Sequence, residues 1–119
     1  MNNVSLIGRL TKDPEIRYSA GNEPIAYGSY TLAVDRPKNR KGETITDFLK
    51  CKVVGKRAEF AEKHLKKGMK IAVTGRMQAD PFEDKNGNRR VDTYVQISAH
   101  YFCESSGSGR NAAPGYDVP

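Results

Sequence analysis

The stretch DFLKCKVVGKRAEFAEKHLKKG, residues 47–68, changes period at its middle, and that change decides how the chain is read. Its first half alternates: Leu49, Cys51 and Val53 point to one side, and Phe48, Lys50, Lys52 and Val54 to the other. That is the two-residue period of a strand. In its second half Ala58, Phe60, Ala61, His64 and Leu65 recur at three- and four-residue spacing. Glu59, Glu62, Lys63, Lys66 and Lys67 cover the rest, as on a half-buried helix. Gly68 reads as its C-cap, with lysines in the last turn favourable to the helix dipole.

No second helix is expected. VSLIGRL (residues 4–10) reads as a strand with apolar groups on both faces, which suggests burial on more than one side. KDPEIRYSAGNEP is a turn-rich connector with a short extended piece at Ile16 to Tyr18, and IAYGSYTLAV is a ten-residue strand. Gly8 and Gly28 sit in mid-strand, where glycine is justified by a bend or by close approach of another backbone. KIAVTGRM is a further strand, and PFEDKNGNRRVDTYVQISAHYF reads as a hairpin turning at residues 85–88. Three strands, a helix and two strands suggest an all-β, five-stranded Greek-key barrel of the OB-fold type with its helix between strands 3 and 4. An open five-stranded α+β sheet fits the same string. Residues 1–103 form the expected domain, and residues 104–119, poor in apolar groups and rich in Gly, Ser and Pro, the expected disordered tail.

At 119 residues and 37% apolar content the chain supports one modest core. It lacks an apolar run long enough to span a bilayer and the pattern of a secretory signal, so a cytoplasmic location is expected. Cys51 and Cys103 have no metal-binding spacing and read as reduced thiols. His64 reads as a packed residue of the helix's apolar side, and His100 lies near the end of the last strand. No nucleophile elbow or phosphate-cradling loop occurs and the acids are dispersed, so neither a catalytic site nor a metal site is expected.

Charge is distributed unevenly. Residues 36–76 carry thirteen Lys or Arg against four acids, whereas the rest of the chain is mildly acidic. Such a basic middle suits a polyanion, although a solubilising surface has the same composition. Phe48 beside Lys50 and Lys52 supplies what unpaired nucleic acid needs, a flat ring next to cations. Phe82 joins them if its hairpin folds over the same face, and Lys56, Arg36, Lys38, Arg40 and Lys41 extend the basic track. The same residues also fit an edge strand with two rim aromatics.

NNVSLIGRLTKDPEIRY, residues 2–18, resembles the N-terminal signature of bacterial single-stranded DNA-binding proteins, with Asn2, Val4, Leu6, Gly8, Leu10, Asp13, Pro14, Glu15, Arg17 and Tyr18 at the family's spacing. TLAV, VVGKRAEFAEKHLKKG and IAVTGRM followed by Phe82 continue the resemblance to about residue 103. It implies an OB-fold homotetramer that binds single-stranded DNA in replication, repair and recombination, without cofactor or catalysis. It also implies base stacking at Phe48 and Phe82, phosphate contacts at Lys56 and Lys67, and a basic loop over residues 35–46 that closes on the strand. Val4, Leu6 and Ile7 would join subunits.

Two stacking positions depart from the family, with Lys38 in place of tryptophan and Val54 in place of phenylalanine, so a larger electrostatic share of the affinity is expected. The tail ends GYDVP instead of in acids and Pro-Phe, which suggests a shortened form or a variant without recruitment of replication and repair proteins. An RNA-binding or primosomal module and an OB-fold nuclease are the alternative readings.

Overall fold

A computed structural model describes residues 1–103; the tail expected beyond them lies outside the described residues. The elements are β1 (Val4–Leu10), β2 (Glu15–Tyr18), β3 (Ala26–Asp35), β4 (Thr46–Val54), α1 (Lys56–His64), β5 (Lys70–Glu83) and β6 (Arg89–Phe102). The topology is OB-fold-like, with the helix between β4 and β5. Among the described residues there are six strands, not five, because the short extended piece after the first strand pairs in its own right.

β1 and β2 lie one after the other along the same edge of β3. Leu10 faces Leu32, and Glu15 resumes the pairing opposite Ser29. Between them Pro14 has no N–H to donate, and the Asp13 carboxylate turns away to accept from the Lys67 amide at 2.8 Å. One edge thus becomes two strands with a corner. The remaining pairings are antiparallel for β1 with β5, β3 with β4 and β5 with β6, and parallel for β4 with β6. Followed in order, β1, β5, β6, β4 and β3 lead back to β1.

Leu10, Leu32, Cys51, Val53, Ile71, Val73, Val95 and Ile97 fill the space inside these pairings, and Ala58, Ala61 and Leu65 bring α1 against them. Burial pushes the Cys51 thiol up to about 12, so it packs as a small apolar group. The helix ends at His64, earlier than Gly68. Leu65 takes up extended backbone and buries its side chain completely. Gly68 instead serves the turn that follows: it has φ 89° and its amide donates to the Leu10 carbonyl at 2.8 Å.

His64 also departs from expectation, being exposed and in contact with the Phe60 ring at 4.8 Å between centroids. His100 is the packed one. Its Nε2 lies 2.8 Å from the Tyr30 hydroxyl and its ring stacks on Phe60, and burial, with a smaller effect of Arg57, lowers its pKa to about 4.

The mid-strand glycines mark close approaches. A Cβ at Gly28 would stand 2.0 Å from the Glu15 carbonyl oxygen, and one at Gly8 would stand 2.5 Å from that of Ala33. Gly28→Ala is therefore expected to push β2 off β3 and to cost roughly 1–3 kcal/mol, as overpacking does. Urea unfolding measures this; an unchanged midpoint would show that the corner between β1 and β2 has slack.

Candidate nucleic-acid interface

The outer face of β4 is built as its alternation requires. Phe48, Lys50 and Val54 are exposed, Lys52 is half-buried, and Cys51 and Val53 are buried on the opposite side. Residues directly opposed across a ladder share a face, so register extends this surface onto the neighbouring strands. On β3, Tyr27 opposes Val54, Ser29 opposes Lys52 and Thr31 opposes Lys50. On β6, Gln96 is level with Lys52, and on β5 Arg76 opposes Gln96. Ser29, Lys52, Gln96 and Arg76 thus form one row across four strands.

The same register places the hairpin arm. Gln78 opposes Tyr94, Asp80 opposes Asp92 and Phe82 opposes Arg90, so Phe82 lies on the face of Lys50 and Lys52, toward the tip of the arm. Phe48, Tyr27 and Phe82 present exposed rings, at 62%, 46% and 46% of their maximal accessible area. A groove of about 380 Å³ between the first two strands of this surface is lined by Arg17, Tyr27, Ser29, Lys50, Lys52 and Gln96, among others.

The two lysines are already occupied. Asp92 holds Lys50 Nζ at 3.1 Å through one carboxylate oxygen and Lys52 Nζ at 3.0 Å through the other. Lys52 Nζ also sits 4.1 Å above the centre of the Tyr94 ring, a cation–π contact. The Tyr94 hydroxyl is 2.6 Å from Asp80 Oδ2, which fixes the ring beneath the lysine. Hydrogen bonds from Lys52 and then Lys50 hold the Asp92 carboxyl below the usual carboxylate range.

The other expected cations are scattered in role. Arg36 makes a two-pronged pair with Asp47, at 2.8 and 2.9 Å. Lys38, Arg40 and Lys41 are exposed on the β3–β4 connection, whose turn is tied by Asn39 Oδ1 accepting from the Lys41 and Glu43 amides. Lys56 opens α1 and borders a shallow depression with Arg57, Phe60 and His100; Lys67 lies past the helix. Neither belongs to the row across the strands.

Of the three residues expected to join subunits, Val4 and Leu6 pack against the core, and Ile7 alone points outward, 55% exposed. Pairing of β1 with β3 reaches only Arg9 and Leu10, so among the described residues positions 4–8 of β1 have a partner strand, β5, on one edge only. Asp92, Tyr94, Gln96, Arg76, Tyr27 and Arg17 were not anticipated from the sequence. The alternation of Arg90, Asp92, Tyr94 and Gln96 marks them as one face of a strand, but only the register of β6 against β4 brings that face beside the lysines.

Comparison with known proteins places the chain in a family. The profile described as the single-strand binding protein family matches residues 1–103. The chain is 40% identical over 112 residues to single-stranded DNA-binding protein 3 of Clostridium acetobutylicum, covering 94% of this chain and 77% of that one. It is 44% identical over 110 residues to single-stranded DNA-binding protein 3 of Listeria innocua, with 92% and 68% covered. Single-stranded DNA-binding protein A of Bacillus subtilis is 39% identical over 118 residues, with 98% and 67% covered.

The Asp92 geometry has a direct consequence in acid. A carboxyl whose folded pKa is depressed contributes stability above its unfolded value, and that contribution is lost as pH falls through the folded value. By NMR the Asp92 carboxyl is expected to titrate below the ordinary 3.8, and to move back up in Lys52→Met and, by less, in Lys50→Met. A midpoint at or above 3.8 in the parent would mean that the lysines do not hold this carboxylate in solution.

Proposed function

Because the chain belongs to the single-strand binding protein family, we propose that it binds single-stranded DNA without regard to sequence, protecting exposed strands in replication, repair and recombination. The observation that carries the reading is the outer face of β4, where the exposed Phe48 ring is followed by Lys50 and Lys52, and register adds Tyr27 and Phe82. Bases stack on Phe48 and Phe82, each contact contributing about 1–3 kcal/mol whatever the base. Val54, the last residue of β4, gives the track an aliphatic end.

Phosphates are met by Lys50 and Lys52 once Asp92 gives way, and by Lys38, Arg40 and Lys41 as the β3–β4 connection folds toward the strand. Arg36 serves as its hinge-side cation, released from Asp47 or shared with it. Lys56 and Lys67 extend the contact toward the helix. The circuit of pairings that returns to β1 supports a closed Greek-key barrel over residues 1–103. The one-sided edge of β1 with exposed Ile7 supports assembly into a homotetramer, in which Val4 and Leu6 stiffen the joining strand from inside. Binding of this kind needs no cofactor and no chemistry. Among the described residues no three His, Cys, Asp or Glu side chains are grouped to hold a metal ion. A cytoplasmic, nucleoid-associated location follows from the ligand.

Polythymidine is expected to bind far more tightly than duplex DNA or RNA in a gel-shift assay. Phe48→Ala and Phe82→Ala should each weaken it by about 1–3 kcal/mol while the fold is retained. Two variants that bind like the parent would remove the stacking assignment. The affinity should fall steeply with salt, by roughly 0.7 logarithmic units per tenfold salt for each phosphate neutralised, and neutralising Lys50 and Lys52 should flatten that slope. Light scattering should return four times the 13.2 kDa chain mass; a monomer would rule out assembly through β1.

A further inference from the structure

The row Ser29, Lys52, Gln96 and Arg76 does not end at the groove over β3 and β4. Gln96 stands between Lys52 on one side and Arg76 on the other. Neighbouring strands lie about 4.8 Å apart, so Arg76 follows Lys52 at roughly 10 Å on the same face. Beyond Gln96 opens a second and larger groove, of about 840 Å³, whose walls include Ser5, Val54, Arg57, Arg76, Gln96 and Ser98. Val54 and Gln96 line both grooves, so they form a shared sill and not a barrier.

The two grooves differ in charge. The smaller one includes Glu15, and its lysines are held by Asp92. Among the described residues no Asp or Glu lines the larger one, and its cations are two arginines. Neither Arg57 nor Arg76 is in an ion pair among the described residues. The Arg57 Nε donates to the Ser98 carbonyl, which fixes its guanidinium against the wall, and the Arg76 side chain is exposed. A guanidinium presents several N–H donors in a plane and suits phosphate oxygens.

From this we infer that the larger groove is a second segment of the strand-binding path, in which Arg57 and Arg76 take backbone phosphates of the same single strand that lies on β4. The inference rests on the reading of β4 as a single-strand track. Val54 explains the division of labour: with no ring on the sill, the strand crosses there by its backbone, and its next phosphates meet cations that no carboxylate must first release. Gln78 and Gln96 offer amide groups to sugars and base edges alongside.

Graded oligothymidines test this, from about 4 to about 16 nucleotides, the span of site sizes for one OB-fold. The full chain, Arg76→Gln and the double variant Arg57→Gln with Arg76→Gln are compared by fluorescence anisotropy at several salt concentrations. The shortest oligonucleotide should bind all three proteins within about twofold. The longest should bind the double variant at least tenfold more weakly, with a salt slope shallower by roughly 0.7 for each arginine removed. The Arg76 side chain has no hydrogen-bond partner among the described residues, so Arg76→Gln alone tests the groove without disturbing the fold.

Equal affinity of parent and variants at every length, or an equal loss at every length, would overturn the inference. So would a changed mass of the variants in light scattering, which would make the groove a contact with a second copy of the chain. If the parent binds no oligonucleotide, the single-strand reading itself fails; if it binds and the variants match it, only the second segment fails.

Discussion

Parallel pairing of β4 with β6 consists of two residue pairs, Cys51 with Val95 and Lys52 with Gln96, and most of the surface depends on that short contact. It joins the β3–β4 hairpin to the β5–β6 hairpin, two units that are otherwise held by β1 and the core. A slip of one residue would turn Val95 and Ile97 outward and bring Tyr94 and Gln96 into the core. Val95 and Ile97 are almost wholly buried, so the apolar demand of the interior fixes the register. The outer face then follows without further choice: Lys52 comes level with Gln96, Tyr94 lies under its ammonium, and Asp92 stands between the lysines.

That arrangement changes what the basic middle of the chain means. Counted along the sequence, Lys50, Lys52 and Arg36 are three cations available to a polyanion. In the folded chain each is bound to a carboxylate, Asp92 or Asp47. On the proposed reading, phosphates approaching β4 therefore compete with Asp92, and part of the electrostatic gain is offset before binding begins. Exposed pairs of this kind contribute little to stability. Their effect is to hold long side chains in place and to moderate attraction. Rings on the same face are not moderated in this way, nor are the arginines beyond Gln96 among the described residues, so on the proposed reading affinity divides between stacking at the hairpins and charge at the row's far end.

Much of the fold was legible in the sequence, since alternation and helical spacing are local. The inner and outer sides of β4, the single helix and the close approaches at Gly8 and Gly28 all follow from the residues themselves. What escaped depends on contacts between distant segments. Helix α1 stops at His64 because Leu65 is needed in the core, a demand that three- and four-residue spacing does not register. The separate strand β2 arises from Pro14 and from Asp13 bonding a residue more than fifty positions away. Ile7 could be told from Val4 and Leu6 by alternation, but which side faced the core depended on β5. The same limit applies to the site: Phe48, Lys50 and Lys52 were visible as one face, whereas Asp92, Tyr94 and Arg76 became neighbours only through register.

The most direct test of this account is backbone NMR of the full chain titrated with oligothymidine. The largest shifts are expected at Lys50, Lys52, Asp92, Tyr94, Gln96 and Arg76, on the outer face of β4, β6 and β5, with Glu59, Glu62 and Lys63 on the exposed side of α1 nearly unchanged. Shifts concentrated on α1, with that row silent at saturation, would contradict it.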